Sequence, residues 1–492
     1  SSNMCHESTS VALPESIGVP VATVTLNDME KTDGLFFFGQ NTGTNSPRFL
    51  HPIQQAVKRG CKIVTFNPIR ERGLIEFTNP QSPTEMLSRR GTPISDLYLQ
   101  LRPGGDIAAI AGICKHLLEI GSVDRDFIAE HGHDFDAFET WIRASSWEDI
   151  EVASGLPRTD LVEVAEIIAA SQRVIGIYGM GLTQHVHGSD SIRMLVNLLL
   201  MGGHIGRPGT GICPVRGHSN VQGQRTVGIS EKPELVPLDR LSELFAFDPP
   251  EDTGMTTVDV VQGVIDGTVR GFIGLGGNFA RAIPDQHQAD PAWARLDLNV
   301  QIATKLNRSH VLVGDGAWLL PCLVRAERDR QRTGPQAVSM EDSLSHIHGS
   351  MGRRPPASRH LLSEPAIIAG MAKATLPPKP QVKWDDWVGD YARIRDLIEA
   401  TYPDQFRDFN DRLFQAGGFY RGNSARRRDW QTDSGKAQFT KPQSLSALGV
   451  EPGQGVFTLI TLRSNDQFNT TIYDFHDRLR GLEGDRMIVL IS

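Results

Sequence analysis

The sequence predicts a doubly wound α/β fold, because short apolar runs alternate with stretches of helical spacing. The clearest runs cover residues 34–39, 61–66, 97–101 and 174–178. Runs that are apolar throughout are typical of parallel strands buried on both faces. Each run leads into a polar loop, and sheets of this kind bind ligands at the carboxyl ends of their strands. We therefore expect these loops to form a ligand-binding edge.

The loops that follow the four runs share one chemistry. They cover residues 40–47, 67–68, 102–106 and 179–184, and they are rich in Gly, Asn, Gln and Thr and poor in acidic residues. Such loops are suited to wrapping phosphates or a purine. The Gly-x-Gly-x-x-Gly fingerprint of ordinary NAD sites does not occur in the sequence.

A second α/β stretch follows, with strand-like runs at residues 271–275, 298–302 and 317–321. A Pro- and Lys-rich segment begins at about residue 376, which is typical of a linker. We therefore predict a first α/β domain over residues 1–217 and a second over 218–375, its N-terminal part missing. A peripheral region covers 376–455, and a truncated β-rich segment covers 456–492.

Composition narrows the class of protein. The 492 residues are enough for roughly three domains, and a net charge of −8 gives no nucleic-acid footprint. Five scattered cysteines without paired spacing suit a reducing compartment, so we expect a cytoplasmic protein. No apolar run is long enough to cross a bilayer. The sequence starts at Ser1 and stops after a strand-like run, so we expect a piece of a longer protein.

Two polar segments carry candidate chemistry. Cys5 stands beside His6 just ahead of an apolar stretch, and Arg216 lies in a segment dense in Arg, His, Asn and Gln. From the residue alone, Cys5 is either a small buried apolar side chain or a thiolate ligand or nucleophile beside a proton acceptor. Arg216 is either a surface charge or a planar cation that holds a small oxyanion.

Six short motifs occur in one order along the chain: Met4-Cys5-His6, Gly39-Gln40-Asn41, Gly179-Met180-Gly181-Leu182-Thr183-Gln184, Pro214-Val215-Arg216-Gly217, Asn220-Val221-Gln222-Gly223 and Leu462-Arg463. In these motifs the chain resembles the molybdopterin oxidoreductase superfamily, from Asn3 to about Arg480. The resemblance is closest to formate dehydrogenase alpha subunits and to formate-dehydrogenase-like oxidoreductases linked to acid resistance. It implies a DMSO-reductase-like fold with two doubly wound α/β domains and a truncated C-terminal β-barrel domain.

The resemblance also implies roles for individual residues. Cys5 falls on the ligand to molybdenum or tungsten, a position suited to a soft thiolate. His6 falls on a histidine linked to proton handling, and Arg216 falls on the arginine that would hold a substrate carboxylate. The implied cofactor-binding residues are Gly39, Asn41, Asn45, Asp106, Met180, Gly181, Gln184, Gly217, Asn220, Gln222, Gly277, Thr304, Lys305, Arg463, Gln467 and Asn469.

The implied cofactor is bis-molybdopterin guanine dinucleotide with molybdenum or tungsten. A 4Fe-4S cluster would be bound by the missing N-terminal segment. The implied reaction is the two-electron oxidation of formate, a small-molecule substrate, to CO2, with a redox partner protein or subunit.

The chain departs from formate dehydrogenases at His218, where they usually carry Gln, and in the segment 304–310. Two alternatives therefore stay open. The same cofactor could act on another small substrate such as nitrate, or the chain could be a cofactor-free structural subunit of a redox complex.

Overall fold

The predicted doubly wound sheet is confirmed by the structure, a computed structural model that describes residues 4–88, 90–449, 457–465, 470, 476–484 and 488–490. Five parallel strands form the first sheet, and all of them lie within residues 1–217. Across the sheet, their order is Leu97–Leu99, Lys62–Phe66, Gly34–Phe38, Val174–Tyr178 and Gly211–Pro214.

The central strand of this sheet is buried on both faces, as its apolar sequence predicts. Phe36 and Phe38 pack in one core, whereas Leu35 and Phe37 pack in a second core on the opposite face. Rings of Phe38 and Phe66, on neighbouring strands, stack 4.7 Å apart. Helices therefore cover the sheet from both sides.

The helices of this first region connect the strands and flank the sheet. They are Glu7–Ile17, Leu26–Met29, Thr42–Asn45, Leu50–Lys58, Pro83–Ser88, Asp106–Glu119, Arg125–His131, Phe135–Ala144, Trp147–Ser154, Arg158–Ala170, Met180–Thr183 and Gly188–Met201. A short antiparallel ribbon joins Glu76–Phe77 to Thr92–Pro93.

A second parallel sheet contains Gly271–Leu275, Leu298–Ala303 and Ala317–Pro321, with the second of these in the middle. It lies within the predicted second domain, although the domain boundaries themselves stay a prediction. The helices of residues 218–375 are Gly223–Thr226, Leu238–Phe245, Thr257–Asp266, Phe279–Ala282, Gln286–Trp293 and Glu364–Thr375.

Antiparallel strands complete the second region. Val338–Glu341 pairs with His346–Ser350, which pairs in turn with Phe419–Tyr420. Arg330–Gln331 and Gly334–Pro335 form a ribbon. Four further helices are Trp384–Gly389, Tyr391–Thr401, Pro403–Phe406 and Phe409–Arg412.

The last part of the segment 376–455 is more integrated than the sequence predicts. Trp430 and Phe439 are buried in the core of the first sheet, and Ala437–Gln438 pairs with Gly132–His133. Burial in the core of the first region stabilises these aromatic side chains.

Beyond residue 456, the described residues contain one isolated bridge, between Asp477 and Leu482. Arg480 ties this segment to the first region by an ion pair with Glu71 at 2.6 Å. Among the helices that the structure describes, none combines the length and the apolar character needed to cross a membrane.

The turns that follow the strands Gly34–Phe38 and Val174–Tyr178 contain glycines whose backbones touch. The Gly181 N–H donates to the Gly39 carbonyl at 3.0 Å, and Gly39 adopts a left-handed φ of 55°. A Cβ atom added to Gly181 would lie 2.6 Å from the Gly39 Cα. Side chains are therefore excluded where these two loops meet.

We predict that Gly181→Ala lowers the free energy of unfolding by about 1–3 kcal/mol, because the new methyl group forces the two loop backbones apart. Urea denaturation of the variant and the wild type checks this. Gly370→Ala is the matched control, because a Cβ there meets no atom within 4 Å and lies in the helix Glu364–Thr375. Equal stability of Gly181→Ala and the wild type would contradict the close approach.

Candidate functional site

The carboxyl edge of the first sheet collects several of the predicted site residues. Because all five strands run in parallel, the loops that follow them meet at one edge. Asn41 follows the central strand, and Gln184 follows its neighbour Val174–Tyr178. Arg216 and Gly217 follow the fifth strand, Gly211–Pro214. This strand was missed at the sequence level, where its residues were grouped with the polar segment after it.

Cys5 is fixed to this edge by its backbone. The Thr183 hydroxyl donates to the Cys5 carbonyl at 2.7 Å, and the Ser8 hydroxyl donates to the Thr183 carbonyl at 2.8 Å. Cys5 lies two residues before the start of the helix Glu7–Ile17, which packs against Gly188–Met201. Cys5 is half-buried, so its backbone is fixed while the residue is not fully enclosed by protein.

Burial raises the pKa of the Cys5 thiol, while the positive charges of Arg463 and Arg216 act to lower it. The net pKa of Cys5 stays raised, so the thiol is the favoured form. The two guanidinium groups reduce the cost of forming the thiolate, which is the form of cysteine that binds metals and attacks electrophiles.

His6 is buried, with 4% of its surface exposed. One ring nitrogen, Nδ1, lies 3.0 Å from the Thr9 hydroxyl, and Nε2 lies 3.0 Å from the Val215 carbonyl. That carbonyl can only accept, so Nε2 carries the proton and Nδ1 accepts from Thr9. The Thr9 hydroxyl lies 2.9 Å from that of Tyr178.

This hydrogen-bond chain joins the Cys5 turn to the loop that carries Arg216. Burial, together with the charge of Arg216, lowers the pKa of His6 to about 3, so the ring is neutral at physiological pH. Its contacts support a positioning role, because proton uptake at Nδ1 requires the bond from Thr9 to rearrange. The predicted role of His6 in proton handling stays a prediction.

Arg216 is held at two points. Its backbone N–H donates to the Ser343 hydroxyl at 3.1 Å, and its Nη2 donates to the Pro20 carbonyl at 2.7 Å. Its buried Nε finds no acceptor among the described residues. Burial lowers the pKa of this guanidinium, but an arginine remains charged at neutral pH. The site therefore contains a fixed cation whose charge acts on the Cys5 thiol.

Asp106 is the first residue of the helix Asp106–Glu119 and is 5% exposed. Burial raises the pKa of its carboxyl group to about 7, although a hydrogen bond from its own backbone N–H acts in the opposite direction. Perturbed groups of this kind often mark binding sites.

The other predicted cofactor residues of the first region lie in two loops. Asn41 caps the short helix Thr42–Asn45, its side chain accepting from the Thr44 N–H at 3.3 Å. Asn45 is exposed and hydrogen-bonded to Arg463. Met180 is half-buried. Gln467 and Asn469 lie outside the described residues.

Residues from the second region are placed differently. Asn220 accepts from the Glu341 N–H at 3.0 Å, and the buried Gln222 donates to the Glu341 carboxylate at 2.6 Å. Both side chains thus hold an antiparallel strand, and their contact with a cofactor stays a prediction. Exposed residues follow the strands of the second sheet at its carboxyl edge: Gly277, Thr304 and Lys305.

Thr183 and Thr9 were missed by sequence reasoning. Thr9 follows His6 by three residues, a spacing that brings side chains together on a helix, and this signal could have found it. The contact of Thr183 with Cys5 spans 178 residues, and no local pattern indicates it.

The fold and the site define a doubly wound α/β chain with a polar, glycine-lined ligand edge and a cysteine fixed beside it. Residues 2–302 match the family model of the molybdopterin oxidoreductases, and the chain belongs to that family. Membership implies a molybdopterin cofactor.

Two curated proteins illustrate how similar this chain is to other members of related families. Protein YdeP of Escherichia coli (strain K12) is 46% identical over 501 residues, which cover 100% of this chain and 66% of that protein. The chain thus spans just under two thirds of the length of this curated relative. The F420-dependent formate dehydrogenase 1 subunit alpha of Methanococcus maripaludis is 27% identical over 304 residues, 60% of this chain and 42% of that protein.

Among solved structures, acetylene hydratase from Pelobacter acetylenicus superposes with a TM-score of 0.61 at 15% identity. The match covers 87% of this chain and 58% of that one. At this identity the likeness concerns the fold alone, and it agrees with the predicted DMSO-reductase-like architecture.

The raised pKa of Asp106 predicts a pH-dependent stability. The folded-state pKa of about 7 lies above the ordinary value of 3.8, so the folded protein retains a proton that the unfolded chain releases. The stabilisation from the protonated Asp106 carboxyl group is complete below about pH 4. As the pH rises from there through 7, the free energy of unfolding falls by about 4 kcal/mol at most.

We predict that Asp106→Asn removes this fall, because an amide does not titrate. Urea denaturation of cofactor-free protein between pH 4 and pH 8 measures it. Asp433→Asn, at an exposed position, should leave the pH dependence as in the wild type. Parallel pH curves for Asp106→Asn and the wild type would contradict the assignment.

Proposed function

We propose that this chain is the cofactor-binding part of a bis-molybdopterin guanine dinucleotide oxidoreductase that resembles formate dehydrogenases and oxidises formate to CO2. The observation that carries the proposal is the half-buried Cys5 at the ligand edge, with the positive charges of Arg216 and Arg463 acting on its thiol. The formate dehydrogenase subunit among the relatives supports the choice of substrate.

The residues present fit such a cofactor. Gly181 is exposed and Gly39 is half-buried, so no side chain separates the loop backbone from a large planar or phosphate-bearing ligand where these two loops meet. Cys5 would hold the molybdenum or tungsten through sulfur, since thiolates are soft ligands. When bound, this group supplies the two-electron redox chemistry, and a 4Fe-4S cluster and a redox partner would pass the electrons on.

The protein's own contribution to the substrate is electrostatic. Formate is a carboxylate, and a guanidinium pairs with a carboxylate through two parallel hydrogen bonds. Arg216 has this shape, and its bonds to Pro20 and Ser343 fix its position. His6 holds the same loop through the Val215 carbonyl, so that both residues orient the substrate relative to Cys5.

We predict that Cys5→Ser in the full-length protein abolishes formate-dependent dye reduction and leaves most of the pterin bound. The reason is that serine removes the sulfur ligand but none of the contacts of the cofactor loops. Dye assays, metal analysis and pterin fluorescence measure the three quantities. Cys61→Ala is the control, because Cys61 is buried next to the amino end of the strand Lys62–Phe66, at the opposite edge. Wild-type rates in Cys5→Ser would refute the ligand assignment.

We predict that Arg216→Lys lowers kcat/KM for formate by roughly one to three powers of ten, because lysine keeps the charge and loses the planar fork. Steady-state kinetics with formate check this, and cofactor content should stay unchanged. The control is Arg207→Lys, since Arg207 also donates to backbone carbonyls, of Gly203 and Gln172. Arg207 precedes the strand Gly211–Pro214 and so lies at the edge of the sheet opposite Arg216.

Substrate choice is tested in the same assays with formate, nitrate and small aldehydes. Robust nitrate reduction with no response to formate would overturn the formate assignment and leave the cofactor assignment standing. A full-length protein that contains neither metal nor pterin would instead favour a structural subunit.

A further inference from the structure

The first sheet contains one point at which the direction of winding changes. It lies between the strands Gly34–Phe38 and Val174–Tyr178. The helix Leu50–Lys58, after the first of these strands, packs in the core on one face, and Gly188–Met201, after the second, packs in the core on the other. The two chain segments therefore leave the sheet in opposite directions. Open α/β sheets bind ligands in the crevice that forms at such a point.

Gln40 is a buried residue in the turn that lies beneath this crevice. It comes two positions after the central strand, between Gly39 and Asn41, and is 3% exposed. Its Nε2 donates to no acceptor among the described residues. Leaving a buried amide N–H without an acceptor costs about 1–3 kcal/mol, so such groups are rare in folded proteins and call for an explanation.

The position of the Gln40 side chain is fixed by the neighbouring loop. A Cβ atom added to Gly179 would lie 2.0 Å from the Gln40 Oε1, so the amide lies directly against the Gly179 backbone. The absence of a side chain at Gly179 thus makes room for Gln40. The unpaired N–H group is therefore held, buried, at the junction of the two central loops, beneath the edge that the sheet topology assigns to ligand binding.

We propose that Gln40 is a cofactor-binding residue and that its Nε2 donates to an acceptor oxygen of the pterin cofactor. This inference rests on the function proposed above and adds a residue to which no role has been given. The acceptor is either a phosphate oxygen or an uncharged carbonyl of the pterin. Because Gln40 lies in the first strand-to-helix turn, a phosphate oxygen is the expected acceptor.

Two substitutions separate these acceptors. Gln40→Met has a similar length and lacks the donor, whereas Gln40→Glu also places a negative charge at the same point. Loss of one hydrogen bond to a charged group weakens cofactor binding roughly ten- to hundred-fold. We expect Gln40→Met to show this loss and Gln40→Glu a greater one, because a carboxylate repels a phosphate.

The measurement is pterin fluorescence and metal content per mole of purified full-length protein, followed by cofactor retention during dialysis. The melting temperature of cofactor-free protein is the second readout. Gln40→Met should melt at or above the wild-type temperature, since it removes an unpaired buried amide. The matched control is Gln336→Met: Gln336 is buried with its Nε2 bonded to Thr333 and Gly334, so its loss should lower the melting temperature and leave the cofactor content unchanged.

Each outcome bears on the proposal. A greater loss in Gln40→Glu assigns the acceptor to a phosphate, and equal losses in both variants assign it to a carbonyl; both support a binding role. Wild-type cofactor content in Gln40→Met, with a lowered melting temperature, would overturn it and leave the proposed function intact. A wild-type protein that carries no pterin would overturn both.

Discussion

Parallel pairing of the strand Gly34–Phe38 with a neighbour on each side is the constraint on which the site depends. The register aligns Phe38 with Phe66 on one side and with Tyr178 on the other. The three strands therefore end at the same level of the sheet, and the loops that follow them start side by side. Antiparallel pairing would send alternate loops to opposite edges. The polar loops therefore meet because of the backbone geometry, and their side chains need only be compatible with it.

Much of this arrangement could be predicted from the sequence. The apolar runs at Gly34–Phe38 and Val174–Tyr178 predict buried strands, and the loops after them predict the ligand edge. The strand Gly211–Pro214 was missed, because four residues that include Gly and Pro carry no clear strand signal. The return of Trp430 and Phe439 to the first core was missed as well, since only the tertiary structure brings these residues together.

The roles of individual site residues were harder to predict than their location. The pair Cys5-His6 indicates a chemical site, but it does not reveal that both nitrogens of His6 have partners. Those partners depend on Val215, 209 residues away, and on the burial of the ring. A histidine beside a cysteine in the sequence therefore predicts that the two residues lie in the same part of the structure. The protonation state of the histidine depends on packing that the sequence does not reveal.

The hydrogen bond from Thr183 to the Cys5 carbonyl has a consequence for how the site forms. It joins residues separated by 178 positions, and contacts of such range form only after the intervening chain has closed into its sheet. Cys5 therefore reaches its place only when the strand Val174–Tyr178 has joined its neighbours. A chain that has not completed this sheet therefore presents the Cys5 thiol in no defined position, so the site forms as a consequence of folding and is not preformed in the local sequence.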